Sequence, residues 1–311
     1  MSTIITREAL MSERNNMAMD GLVLIRSYTE KASSSGTSTF MTGTLEGKGS
    51  FPFKAWQDKE AFVYLKENDC TNMIFKVEAN VNDFGGTKSL IISKMEPYTG
   101  ADVSQLDFLL QKYDEQQLWD SMMKVLNDRC SAEAMVVFHT VMLPIEARFR
   151  KEFAAINHHD NCLNGLLAHT SKVVKIAQVL QWYPTICDAA TVDALYIGAA
   201  LHDIGKILEY NNGAISEQGQ VLNHLTLGLG LVTMHKDEIV RQKGVHFYNT
   251  LLSVVQQHHG EYGERPKTVA AYLVHLIDNL EATLTSLQES IETSTTDMVK
   301  QGDFYLRFMK K

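Results

Sequence analysis

Short runs of residues typical of β-strands dominate the first third of the chain. Residues 21–97 contain five of them: residues 22–25 are apolar, residues 37–45 are rich in threonine, residues 50–56 alternate between apolar and polar, and residues 73–81 and 88–95 form the last two. A helical stretch at residues 58–67 separates the third run from the fourth. The last two runs flank Asn82-Asp83-Phe84-Gly85-Gly86, which is typical of a hairpin turn. This order predicts a small five-stranded OB-type β-barrel over residues 20–98. Residues 1–19 lack a clear pattern and are predicted to be a flexible or partner-dependent lead-in.

The pattern becomes helical from residue 106 to the end. Apolar residues at helical spacing predict helices over residues 161–182, 191–210 and 269–286. The charged stretch 236–247 is predicted to be a surface loop, and residues 298–311 a solvated basic tail. The fold class is therefore α+β, with the N-terminal barrel followed by an all-α domain over residues 106–311.

The stretch Leu201-His202-Asp203-Ile204-Gly205-Lys206 is the strongest candidate for chemistry. His202, Asp203 and Lys206 continue the apolar, inward stripe of the predicted helix 191–210. Polar side chains are costly to bury without partners, and the partner is either a hydrogen bond within the core or a metal ion. Further histidines and a carboxylate on other helical runs favour the metal: His169, His224, His258, His259 and Asp278.

Composition narrows the function classes. The net charge of the 311 residues is −8, so nucleic-acid binding must come from a local patch or from metal contacts to phosphate. The four cysteines form no C-x-x-C pair, which excludes the usual zinc and redox motifs. We find no signal-peptide run and no membrane span, and therefore expect a cytoplasmic protein without a membrane partner.

Small barrels bind single strands by stacking bases on aromatic rings beside basic residues. Aromatic residues in such barrels more often belong to the core, where we place Phe53, and Trp56 is the better surface candidate. The candidate nucleic-acid-binding residues are Phe40, Lys54, Trp56, Phe84 and Lys88.

The ordered series of His169, His202-Asp203 and Asp278 resembles the HD phosphohydrolase superfamily. The added His224 and the His258-His259 pair resemble its two-metal branch. The flanking residues are similar to those of YhaM-type 3′–5′ exoribonucleases, which join an N-terminal OB fold to a C-terminal HD domain. The segments that carry this similarity are 153–159, Gly165-Leu166-Leu167-Ala168-His169-Thr170 and Ala200 to Glu209. Asn164 departs from the pattern, since a glycine is expected there.

The resemblance implies a site with two divalent ions. One ion would be held by His169, His202, Asp203 and Asp278, and Asp203 would bridge to a second, held by His224 and one or both of His258 and His259. Mn²⁺ is the ion that the resemblance implies, and Fe²⁺ and Co²⁺ also suit nitrogen and carboxylate ligands without thiolate. Asp203 and Lys206 are the predicted catalytic residues, with Lys206 on the phosphate. Glu209 and Glu281 are candidates, by position, for holding the outer histidine nitrogens.

The function implied is a metal-dependent 3′–5′ exonuclease that releases nucleoside 5′-monophosphates from single-stranded RNA, with DNA left open. Two alternatives remain: a phosphohydrolase of a small or cyclic nucleotide, and a non-catalytic single-strand-binding module. A barrel appended to an HD domain is compatible with a homo-oligomer, although the sequence shows no heptad or exposed apolar strip that predicts one.

Overall fold

The computed structural model divides the chain into two compact units, one up to Gln111 and one from Lys112 onward. Each unit is described by itself. The residues that the structure describes are 3–34, 36–84, 86–110, 112–155, 162–186, 189–211, 213–294 and 296–309. The domain limits read from the sequence, 20–98 and 106–311, stay predictions beside this division.

The N-terminal unit is a closed five-stranded barrel with the strand order β1-β2-β3-β5-β4. Its strands are β1 (Gly21–Ala32), β2 (Thr39–Glu46), β3 (Ser50–Trp56), β4 (Ile74–Phe84) and β5 (Thr87–Pro97). Neighbouring strands are antiparallel except β3 and β5, which are parallel, and the first half of β1 closes the barrel against β4. Helix α2 (Glu60–Glu67) lies between β3 and β4 in the chain. This topology confirms the predicted OB-type barrel.

Alternation of side chains fills the barrel. Along β4 every second residue from Phe75 to Val81 is buried, and the residues between them are exposed. Phe53 is fully buried in the same core, as the sequence indicated. Gly43 allows β1 and β2 to approach closely, because a Cβ there would lie 1.8 Å from the carbonyl oxygen of Ser27.

The residues expected to form an unpatterned lead-in belong to the barrel unit. They include helix α1 (Arg7–Ser12), whose N-cap Thr6 accepts a hydrogen bond from the amide of Ala9. Ile5 and Leu10 are buried in the barrel core, which explains why this segment is ordered. Two isolated apolar residues leave no periodic signal, so the pattern did not predict this packing.

The second unit is helical. Its helices are α3 (Glu115–Arg129), α4 (Ala132–Met142), α5 (Glu146–Phe149), α6 (Gly165–Ile176), α7 (Ala189–Leu201), α8 (Lys206–Glu209), α9 (His224–Thr233), α10 (Lys236–Gln257) and α11 (Val269–Thr293). Two short hairpins complete it: β6 (Tyr210–Asn211) with β7 (Ala214–Ile215), and β8 (Met298–Gln301) with β9 (Phe304–Arg307). Helix α7 packs against α6, α10 and α11, and its residues from Asp193 to Leu201 are buried.

Three predicted elements differ from the structure. The helix predicted over 191–210 stops at Leu201, and His202 to Gly205 form a turn before α8. Residues 236–247 are helical rather than a loop, apart from a kink at Gly244, where φ is 80°. Glu238 pairs with Arg241 one turn later, and Ile239 is buried beneath this charged face. The predicted basic tail contains the β8–β9 hairpin.

Candidate metal centre

The HD dipeptide, His202-Asp203, lies in the turn between α7 and α8, and this turn packs closely against α9. Gly205, in this turn, faces the first turn of α9: a Cβ on Gly205 would lie 1.9 Å from the carbonyl oxygen of His224. Only glycine permits this approach. The turn therefore places His202 and Asp203, which are both buried, close to the start of α9, where His224 lies.

One cluster of potential ligands lies on the side of α6 and α11. His169 from α6, His202 and Asp278 from α11 offer atoms that lie within 4.8 Å of one another. Nε2 of His169 is 3.1 Å from Oδ1 of Asp278 and 3.2 Å from Nε2 of His202. We call this set the first cluster.

A second cluster forms around the start of α9 and the end of α10. It consists of Asp203, His224, His258 and His259. Nε2 of His224 is 3.1 Å from Nε2 of His259, and His258 Nε2 is 3.5 Å from Oδ1 of Asp203. Both members of the histidine pair thus lie in this cluster.

Asp203 joins the two clusters through its two oxygens. Oδ2 lies 3.2 Å from Nε2 of His202 and 3.5 Å from Nε2 of His169. Oδ1 faces the other way, 3.6 Å from Nε2 of His224 and 3.5 Å from that of His258. A single carboxylate thus offers one oxygen to each cluster.

The outer nitrogens of four histidines have partners that hold the rings in place. Nδ1 of His169 lies 2.6 Å from Glu281 and Nδ1 of His224 lies 2.8 Å from Glu209. Both carboxylates were candidates by position in the sequence. Nδ1 of His202 and of His258 lie within 3.1 Å of carbonyl oxygens in their own chain segments, those of Ala199 and Val255. When Nδ1 is the donor of a neutral imidazole, the lone pair of Nε2 points into the clusters.

These donors fit a cation. The paired Nε2 atoms lie 3.1–3.2 Å apart, and lone pairs at this distance repel unless a proton or a metal ion lies among them. Oδ1 of Asp203 and Nε2 of His258 are buried and make no hydrogen bond with the described residues. Buried polar atoms are normally satisfied, so this pair of unsatisfied acceptors is what a divalent ion would complete.

The pKa shifts show that the first cluster favours positive charge. Burial lowers the pKa of His169, but hydrogen bonds to Asp278 and Glu281 outweigh it and raise the pKa to about 10. In the second cluster, burial lowers the pKa of His258, and burial with the neighbouring His258 lowers the pKa of His259 to about 4. Neutral imidazoles, as in His258 and His259, are the form that binds metals.

Lys206 contacts the bridging carboxylate. Its Nζ lies 2.7 Å from Oδ2 of Asp203, and burial of the ammonium is outweighed by Asp203, so the pKa of Lys206 is raised. Lys206 also holds the pKa of Asp203 well below its usual range, although burial opposes this. Asp203 is therefore ionised, which is the form in which a carboxylate binds a metal ion.

All seven predicted metal ligands come together, and two further residues extend the site. Lys172 was not singled out from the sequence, yet its Nζ lies 3.2 Å from Glu281; its i+3 spacing from His169 is the signal that could have found it. Nδ1 of His275 lies 2.7 Å from the carbonyl oxygen of His258. His158 and His159 lie outside the described residues.

Asn164 occupies the position at which the family resemblance predicts a glycine. It precedes α6 with φ = 63°, the left-handed conformation that asparagine tolerates better than most residues other than glycine. Its Nδ2 donates to the carbonyl oxygen of Arg150 at 2.7 Å. The substitution thus preserves the entry to the helix that carries His169.

On the barrel, three of the five candidate nucleic-acid residues lie together on β2 and β3. The rings of Phe40 and Trp56 are 4.9 Å apart, and Nζ of Lys54 lies 5.3 Å from the centre of Phe40. Phe84 is 82% exposed at the end of β4, on a different pair of strands. Lys88 donates a hydrogen bond to the carbonyl oxygen of Met11 at 2.6 Å, so it holds the end of α1 rather than joining the aromatic pair.

The aromatic pair belongs to a wider outward surface of β1, β2 and β3. The pairing register places Lys31, Phe40 and Trp56 side by side in one row. Thr29, Thr42 and Lys54 form the next row, and Ser27, Thr44 and Pro52 the third. An open cavity of about 350 Å³ lies between β1 and β2 on this surface. We call these nine residues the barrel surface.

Comparison with known proteins agrees with this architecture. Residues 166–283 match the family model of the HD domain. The chain is 25% identical over 306 residues to the 3′-5′ exoribonuclease YhaM of a Geobacillus species, with 92% of this chain and 87% of the relative covered. It is 25% identical to the YhaM of Listeria monocytogenes and 24% identical to that of Bacillus subtilis, with 92% of this chain and 90% of each relative covered. These matches confirm the resemblance inferred from the motifs.

Among solved structures, the SSB domain of a Synechococcus protein aligns at 9% identity with a TM-score of 0.22, covering 27% of this chain and 96% of that domain. This similarity is too distant to support a functional assignment.

Within the described residues, no helix combines the length and apolarity needed to cross a membrane.

Proposed function

We propose that this chain is an HD-domain, metal-dependent phosphodiester hydrolase that shortens single-stranded RNA from the 3′ end and releases nucleoside 5′-monophosphates. The observation that carries the proposal is the pair of ligand clusters joined by the two oxygens of Asp203. Such a pair suits in-line displacement at phosphorus. The relatives named 3′-5′ exoribonuclease match along nearly the whole chain, barrel included, and support this substrate.

Two divalent ions fit the donor set. We propose that His169, His202, Asp278 and Asp203 hold one ion. Asp203, His224 and both His258 and His259 would hold the other. When bound, the ions supply Lewis-acid stabilisation of the phosphoryl oxygens and activation of water. Nitrogen and carboxylate donors without thiolate suit Mn²⁺, Fe²⁺ and Co²⁺ alike. Mn²⁺ is the first choice because the resemblance to YhaM-type exoribonucleases implies it.

Lys206 is proposed to bind the phosphate of the bond to be cleaved. Its ammonium is nearly buried beside Asp203 and keeps its positive charge there, as its raised pKa indicates. A buried lysine that keeps its charge attracts a phosphoryl oxygen strongly, because little water screens it. Asp203 positions Lys206, and Lys206 in turn keeps Asp203 ionised.

The barrel surface is proposed to bind the single strand. Phe40 and Trp56 offer ring faces for bases, while Lys31 and Lys54 offer charges to phosphates on either side of them. The hydroxyl groups of the remaining rows can donate to phosphate oxygens, and can both donate to and accept from ribose hydroxyls. A cytoplasmic location is part of this proposal, and the free thiols of Cys70 and Cys130 are compatible with a reducing compartment.

The test uses 5′-labelled single-stranded RNA, the full chain with Mn²⁺, and the Asp203→Ala variant as control. A product ladder that shrinks from the 3′ end with time, and is missing in the variant, is the expected result. RNA that stays intact with both proteins would overturn the exonuclease, and cleavage of a nucleotide panel would then support a small-nucleotide phosphohydrolase. Binding of RNA without turnover of either substrate class would support the non-catalytic module.

A further inference from the structure

Between positions 272 and 288 the outward side of α11 is apolar and carries no charge. Tyr272, Leu276, Leu280 and Leu284 follow one another at four-residue spacing, and each is about half exposed, between 46% and 54%. The exposed residues between positions 272 and 288 are Tyr272, Leu276, Asn279, Leu280, Thr283, Leu284 and Gln288. We call these seven residues the α11 face. The expectation that the chain has no exposed apolar strip is therefore wrong; the strip is hidden in the sequence because both sides of α11 are apolar.

The two acidic residues of this segment serve the metal centre instead. Asp278 and Glu281 both contact His169, and Glu281 is only 1% exposed. From Val269 to Thr293 the helix contains no lysine or arginine. A helix that is apolar on both sides is normally covered on both sides. At about 1.5 Å per residue, the α11 face from position 272 to 288 is about 25 Å long, which is long for an exposed apolar strip on a monomer.

We propose that the α11 face binds the same face of a second copy of this chain, in a twofold symmetric contact. The four-residue row is a ridge that fits the grooves beside an identical ridge, as in the commonest helix-packing class. A twofold contact requires such a self-complementary patch.

Charge favours a second copy as the occupant. The chain carries a net charge of −8, so two copies repel each other over most of their surface. The α11 face lacks charge and is free of this repulsion. A helix that lies on a membrane surface carries lysine or arginine on its polar side, and α11 has neither. The inference does not depend on which phosphodiester the enzyme cleaves.

The oligomeric state of the full chain tests the proposal. The mass of wild-type protein, measured by light scattering after gel filtration, is expected to be twice the chain mass of 35.0 kDa. Leu280 lies midway along the α11 face, so the symmetric contact brings the two Leu280 side chains close to each other. Leu280→Glu and Leu280→Lys should each be monomeric, because like charges meet at the axis. Mixing the two variants should restore the double mass, because opposite charges then meet.

The control is Leu143→Glu, at a residue that is 65% exposed just after α4. This variant should keep the double mass, and circular dichroism should show native helix content in all three variants. Wild-type protein that is monomeric over the whole concentration range would overturn the proposal. So would a dimer that survives both Leu280 substitutions, or a mixture of the two variants that stays monomeric.

Discussion

Glu281 Oε2 lies 2.6 Å from Nδ1 of His169, one of the shortest polar contacts in the metal centre. Glu281 is in turn held by Lys172 at 3.2 Å and by the hydroxyl of Thr285, which donates to it at 2.6 Å. Burial would raise the pKa of Glu281, but the contact with His169 outweighs it and lowers the pKa to about 2. An ionised carboxylate therefore fixes the imidazole ring of His169, whose Nε2 belongs to the first cluster.

Replacing this carboxylate should weaken metal binding without unfolding the protein. We expect Glu281→Gln, and Glu209→Gln on the His224 side, each to lower Mn²⁺ affinity by about 10- to 100-fold, since an amide orients and polarises the imidazole less well. Isothermal titration calorimetry measures the affinity. Glu289→Gln is the matched control, because Glu289 is on the same helix but pairs with Lys112. Unchanged affinity in both test variants would contradict the positioning role.

The two clusters predict distinct metal stoichiometries. Asp278→Ala removes a ligand from the first cluster only, and His224→Ala from the second only, so each variant should retain one ion of two. Asp203→Ala removes an oxygen from both clusters and should retain fewer ions than either. Elemental analysis of Mn²⁺-loaded, desalted protein gives the count. Loss of both ions in His224→Ala would show that the clusters do not bind independently.

The sequence predicted the chemistry of the metal centre better than its local geometry. Histidine and aspartate on separate apolar runs are visible as a pattern, because buried polar residues are costly and therefore informative. The end of α7 at Leu201 is not visible, because the apolar periodicity continues through Ile204 and Ile207. The turn follows instead from a tertiary contact, the approach of Gly205 to His224, which no local pattern encodes.

The barrel shows the same limit. Strand-like runs and a hairpin turn predicted its five strands, but Lys88 and Phe84 were grouped with the aromatic pair because sequence distance says little about which residues of a closed barrel are neighbours. Phe84 lies on the β4–β5 hairpin, and the pairing of Phe53 with Leu90 places Lys88 nearer the start of β3 than its end at Trp56. The ordering of residues 3–19 likewise depends on the barrel core that accepts Ile5 and Leu10.

The proposed role of the barrel surface predicts that substitutions there weaken RNA binding. Trp56→Ala should weaken binding of a single-stranded RNA by about 1–3 kcal/mol, because a stacked base loses its platform. Fluorescence anisotropy with the Asp203→Ala protein as background separates binding from cleavage. Val63→Ala, at a half-exposed residue of α2, is the control and should bind as well as the parent. Equal affinity of the Trp56 variant and its parent would place the strand elsewhere.

The contacts of Asp193 make the stability of the helical unit sensitive to substitution at this position. It is buried in α7, accepts hydrogen bonds from the amide and hydroxyl of Ser131 at 2.8 Å and 2.6 Å, and lies 2.6 Å from Nζ of Lys243. Asp193→Ala leaves a lysine and the N-cap of α4 without their partner. We expect a loss of about 2–3 kcal/mol in the free energy of unfolding, measured with urea. Glu217→Ala, at an exposed turn residue, should lose less than about 0.5 kcal/mol.

The same carboxylate gives the stability a defined dependence on pH. Burial raises the pKa of Asp193, but the hydrogen bonds from Lys243 and Ser131 outweigh this, so the pKa is lower in the folded chain than its unfolded value of about 3.9. The unfolded chain therefore binds the proton more readily, and the contribution of Asp193 is complete above that value and declines as the pH falls through the folded pKa. Urea unfolding of wild type and Asp193→Asn should show a constant difference between pH 5 and 7 that narrows below about pH 4. A difference that stays constant down to pH 3 would mean that the ionised carboxylate contributes nothing specific at this position.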